Sequence, residues 1–221
     1  PPHGPMGRHQ PPIQKGRDHT MPRPLITHRH SPCMHPWSSL DRSEKIKEAI
    51  LFAGKNGALA ITLKMPERTQ ELLKAQRKPI ETIRKRMNAQ LRSVDLHHLP
   101  LVLTLEATRP GDVLHLHGVI IPRGCSLERI QTAMRSAVGY IDGHSGSRQF
   151  FAKEVSNAEG WLDYLLKDQP HTRKLLKLAN KKELWFVSQR MTQAVREDYE
   201  ARRLALHDPA NLNVPPASNV I

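Results

Sequence analysis

Only two cysteines, Cys33 and Cys125, occur in 221 residues, so no disulfide framework can hold the fold and a reducing, cytoplasmic setting is expected. Aromatic residues are also scarce, at 5% of a chain that is 38% hydrophobic, and part of the deficit sits in an N-terminal stretch with little to pack. No run reaches 18 consecutive apolar residues, which excludes a spanning helix, and the N-terminus lacks the apolar segment of a secretory signal. Acidic residues are outnumbered 34 to 21 by Lys and Arg, leaving a formal charge of +13. Such a field gathers nucleic acid or an anionic membrane surface, and charge alone does not choose between them. The length suits one well-packed domain with tails.

Residues 1–38 hold nine of the 18 prolines and six of the 13 histidines without hydrophobic periodicity, a composition that cannot offset the entropy of ordering. They are expected to be a disordered Pro/His-rich tail, in which His28, His30, Cys33 and His35 have metal-chelating spacing. An N-terminal helix follows at 39–57, its start marked by the Asp41/Glu44 capping box and its inner side by Ile46, Ala49 and Ile50. The main domain spans 58–206, with a frayed tail at 207–221. Within it, Ala58–Met65 reads as a strand and Pro66 opens a basic helical region restarted at Pro79. Ile80, Ile83, Met87 and Leu91 form the stripe of that second helix, with Arg84, Lys85 and Arg86 mostly off it. Leu101–Ala107 and Val113–Ile120 read as strands around the turn Arg109-Pro110-Gly111-Asp112. Leu127–Val138 is a helix capped by Ser126, and Gln149–Val155 is a further strand. A helix capped by Ser156 with Glu159 comes next, then a basic helix at His171–Lys182, a short strand at Leu184–Ser188 and a charged helix at Met191–Leu206.

The chemistry begins with His115-Leu116-His117. Side chains alternate along a strand, so the two imidazoles share a face while Leu114 and Leu116 take the other. An antiparallel register centred on Pro110-Gly111 sets Glu106 opposite His115 and Thr104 opposite His117. One strand then supplies a carboxylate and its neighbour two imidazoles, a mixed set that suits Mg²⁺ or Mn²⁺ as well as Zn²⁺ and leaves positions for water or phosphate oxygens. Further on, Tyr164, Lys167 and Asp168 are spaced i, i+3 and i+4 and lie along one helical side. A phenol with a pKa near 10 becomes a nucleophile at neutral pH only where a cation lowers the cost of ionising it, a role open to Lys167 and the hairpin metal.

A strand bearing His-hydrophobic-His, an acidic residue on the preceding strand and a later helix with Tyr-x-x-Lys-Asp resemble the rolling-circle replication initiators of the HUH endonuclease superfamily, over about residues 58–190. The resemblance implies an α+β fold, a central antiparallel sheet of four to five strands with helices packed on it. It implies His115, His117 and Glu106 as ligands of Mg²⁺ or Mn²⁺, Tyr164 as the nucleophile, Lys167 orienting the phosphate or tyrosine, and Asp168 assisting near the metal. Either Ala60–Met65 or Leu101–Leu105 corresponds to the family's first strand motif. The implied activity is site-specific nicking and joining of single-stranded DNA, or of an extruded hairpin at an origin, through a 5′-phosphotyrosine link. Arg84, Lys85, Arg86, Arg173, Lys174 and Lys177 are the expected backbone contacts. The chain lacks a G-x-x-x-x-G-K-[ST] element, so unwinding would fall to a separate host helicase. A single-tyrosine transposase of the same superfamily, a non-catalytic basic nucleic-acid-binding module and a metal-dependent hydrolase are the alternatives.

Overall fold

Side-chain caps at Asp41, Ser126 and Asn157 mark helix starts in the computed structural model, which describes residues 34–109, 111–143 and 146–207. The expected tail up to Cys33, with His28 and His30, lies outside the described residues, as does the C-terminal tail from 208. Residues 34–38 correct the expectation of disorder. Trp37 begins a 3₁₀ turn, is buried, packs its ring 5.5 Å from that of Tyr199, and donates its backbone N–H to Glu200 at 2.7 Å. Pro36 precedes the turn without breaking it, because no helical hydrogen bond is asked of it there.

Helix α1 (Arg42–Lys55) starts at the Asp41/Glu44 capping box, with both reciprocal bonds made. Strand β1 (Leu59–Lys64) leads to α2 (Glu67–Lys74) and α3 (Pro79–Ser93), the latter with its proline in the first turn and Ile80, Ile83, Met87 and Leu91 buried. Strands β2 (Leu101–Thr108) and β3 (Val113–Ile120) form the hairpin, followed by α4 (Leu127–Val138) on its Ser126 cap. After the short α5 (Gly146–Gln149) come β4 (Phe150–Glu154), α6 (Ala158–Lys167), α7 (Gln169–Leu175), β5 (Trp185–Val187) and α8 (Gln189–His207).

Of the boundaries that differ from expectation, two have a clear chemical cause. The cap of α6 is Asn157 rather than Ser156: the Asn157 side chain accepts from Gly160 N–H at 2.9 Å, with its own backbone extended. The basic helix expected at 171–182 starts earlier and stops at Leu175. Lys177 adopts φ +53°, its N–H bonds to Lys174 O, and Leu178 N–H reaches back to Arg173 O. That is a Schellman closure with lysine where glycine usually stands, and Leu178 is buried beneath it.

The strands form one antiparallel sheet in the order β4-β1-β3-β2-β5, an α+β fold with helices packed on the sheet. Every residue of β2 from Leu101 to Ala107 is buried, so both faces of the central sheet are covered. Both candidates for the first motif, β1 and β2, flank β3, which carries the histidines. Helix α1 packs on α6 and α8, so the helix expected at 39–57 belongs to the same compact unit, which begins at Met34. No helix among the described residues is long and apolar enough to cross a membrane.

Candidate active site

The hairpin register places Glu106 opposite His115 and Thr104 opposite His117, as the pairing centred on Pro110-Gly111 requires. Thr108 and Val113 close the ladder, and Gly111 and Asp112 turn the chain at φ +96° and +51°. The strand that carries both histidines is thus fixed from both sides, because β1 pairs Thr62 with His117 and Lys64 with His115. Gly118, next along, carries no side chain for a physical reason. A Cβ there would overlap the carbonyl oxygen of Val102, and Gly118 O also accepts from Trp161 Nε1 at 3.2 Å.

Three polar atoms in this region are buried without a hydrogen-bond partner: Glu106 Oε2, His115 Nδ1 and His117 Nε2. Buried polar atoms are normally satisfied, so three neighbouring orphans call for an explanation. His117 Nε2 stands 3.6 Å from Glu106 Oε2, beyond hydrogen-bond range, and the two imidazole rings are 6.1 Å apart. Two nitrogens and a carboxylate oxygen are, by type, the donors that a borderline or hard divalent cation takes. They are grouped rather than closed: no three His, Cys, Asp or Glu side chains among the described residues already stand in metal-binding geometry.

The electrostatics are those of a desolvated site. Burial, with Asp168 adding to it against Lys167, pushes the Glu106 carboxyl up to about 7. Burial likewise lowers the His117 imidazole to about 4, helped by His115 and Lys167. His115 is lowered as well, by burial and then by Lys64. Both imidazoles are therefore neutral near pH 7, the form that donates a lone pair to a metal.

Helix α6 brings the tyrosine to the same face. Its ring centroid is 5.6 Å from that of His117 in an edge-on arrangement, and it stacks on Trp161 at 5.0 Å and 8°. Lys167 Nζ lies 4.2 Å from the Tyr164 ring centroid and 3.8 Å from Asp168. The lysine therefore lies over the ring of the tyrosine, while burial, then Glu106 and Asp168, push the phenol above its ordinary 10.

Two participants escaped the sequence reading. Thr62 Oγ1 is 3.0 Å from His117 Nδ1 and so fixes the ring with Nε2 toward Glu106; its place depended on the β1–β3 pairing, which local periodicity does not reveal. The other is Trp161, whose ring stacks on that of Tyr164. The expected backbone contacts lie elsewhere and are not one surface. Arg84, Lys85 and Lys177 line one hollow, Arg86 lines another with Arg68, and Arg173 bonds to Ala179 O. Lys174 is exposed in the last turn of α7. No protein-family model matches the chain, and no curated protein matches it.

Proposed function

We propose that this protein is a metal-dependent nickase and strand transferase of single-stranded DNA, acting through a 5′-phosphotyrosine and starting rolling-circle replication. The observation that carries the reading is the set of buried, unpartnered Glu106, His115 and His117 atoms with the Tyr164 ring 5.6 Å from His117. Mg²⁺ or Mn²⁺ would be held by those three residues, and when bound it supplies charge neutralisation at a phosphate oxygen. Thr62 orients His117 for that task, and Lys167 and Trp161 hold the tyrosine ring. Tyr164 Oη attacks the phosphorus, the bond to the 3′ oxygen breaks, and that oxygen takes up a proton as the phenol gives one up. The same ester, attacked by a 3′-OH, rejoins the strand. Asp168 lies close enough to raise Glu106 and serves as an auxiliary carboxylate. The basic surfaces hold the DNA backbone.

The test is a covalent adduct. With Mn²⁺ and a labelled pool of random-sequence single strands, the protein should give a detergent-resistant band shift that Tyr164→Phe abolishes while DNA affinity is kept. The other two tyrosines are poor substitutes: Tyr199 is buried with its hydroxyl on His35 O, and Tyr140 lies against Arg135. An adduct that persists in Tyr164→Phe would overturn the assignment of the nucleophile, and no adduct from the unaltered protein would leave a nucleic-acid-binding module.

A further inference from the structure

Phe151 stands on β4, an edge strand, with 59% of its surface exposed. Edge strands are usually blunted with charge, and a large apolar ring left open there calls for a cover. Its position is fixed by register. Phe151 pairs with Thr62 and Thr62 with His117, so the phenyl ring stands in the same cross-sheet row as the imidazole. Facing it across a hollow of about 350 Å³ are Trp161 and Tyr164, whose rings are already stacked on each other. Ala60, Thr62, Lys153, Glu154 and Asn157 are among the other residues of the lining. In a chain only 5% aromatic, three rings thus border one groove that opens beside the candidate nucleophile.

We infer that this groove takes one unpaired base of single-stranded DNA, stacked on Phe151 next to the phosphate presented to Tyr164. A flat π surface is what such a ring recognises, and stacking is tolerant of base identity. Lys153, Glu154 and Asn157 give the groove a polar rim for the base edges and sugar. Lys153, two residues along the strand, points to the same side as Phe151 and offers a charge to the adjoining phosphate. A duplex, with its bases already stacked, has no ring to offer. The inference rests on the nickase reading for where the phosphate lies, and not for what the groove binds.

The experiment compares two probes without any chemistry, in chelator: an oligothymidylate, and an abasic chain with the same number of phosphates. The full chain should prefer the thymidylate by about tenfold, the worth of one base on one aromatic. Phe151→Ala should lose that preference while binding the abasic chain as before, and Phe151→Trp should restore it. The exposure of Phe151 makes the alanine variant a safe one for folding, and equal binding of the abasic chain checks that. Equal affinity of the unaltered protein for both probes, or a preference that survives Phe151→Ala, would overturn the inference. Base preference with no covalent adduct under Mn²⁺ would keep the groove and sink the nickase, and an adduct without base preference would do the reverse.

Discussion

At the scale of single residues, the site is defined by groups whose ordinary ionisation the fold opposes. Glu106 has its carboxyl raised from 4.5 to about 7, chiefly by burial, so the folded chain favours the protonated form. A group raised on folding contributes its stability below its unfolded pKa and loses it as pH rises through the folded value. In metal-free protein the charged Glu106 therefore costs progressively more from pH 4.5 to 7, levelling off at roughly 3 kcal/mol above that. Glu106→Gln keeps the shape and removes the charge. In urea melts under chelation the variant should match the parent near pH 4.5 and exceed it above pH 7, and a glutamine variant less stable at high pH would mean that the carboxylate is not held against its charge. Saturating Mn²⁺ should reverse the order, because only the parent keeps the charged ligand.

At the scale of elements, what was legible was what local periodicity encodes. The β2–β3 register followed from strand alternation around Pro110-Gly111, and with it the facing of Glu106, His115 and His117. The stripe of α3 and the caps at Asp41 and Ser126 were equally local. What stayed hidden needed long-range pairing: Thr62 against His117 across β1, Phe151 in the same row on β4, and Trp37 under α8. The α6 cap slipped by one because Ser156 and Asn157 both qualify, and α7 stopped early because its terminator is a lysine rather than a glycine. Helix α7 shows how an element is tied to the site. Strand β5 pairs only Val102–Thr104, so farther along β2 the N–H of Ala107 is satisfied instead by Thr172 Oγ1 at 2.9 Å, whose own hydroxyl donates to Asp168 O. Thr172 is fully buried. Thr172→Val keeps its shape and orphans the Ala107 donor, so it should cost about 1–3 kcal/mol in denaturant unfolding, with Thr172→Ser close to the parent. Equal stability of the valine variant would show that α7 is not pinned through this bond.

At the scale of the whole molecule, a group of basic side chains lines two hollows apart from the candidate nucleophile. The aromatic groove borders β4, whereas the two hollows that share Arg84 lie toward β5, the opposite edge of the sheet. The larger, about 860 Å³, is lined by Arg42, Arg77, Lys78, Arg84, Lys85 and Lys177 against Glu81 and Glu183, and the smaller adds Arg92 and Arg190. Not every charge there is available: Arg84 pairs with Glu81, and Arg42 bonds to Trp185 O. Arg77, Lys78 and Lys85 are exposed and serve as the clean probes. Their joint replacement by alanine should weaken binding to all sequences alike and flatten the dependence of log K on log salt by about 0.7 for each single-strand phosphate no longer neutralised. Arg86→Ala, on the other side of α3 with Arg68, should leave that change largely unreproduced. Adduct formation at saturating DNA should be kept in the triple variant, because none of the three residues lies among Glu106, His115, His117 and Tyr164. If the variant instead loses adduct at saturation while its salt slope is unchanged, the β5 side takes part in the chemistry, and the separation of holding from cutting fails.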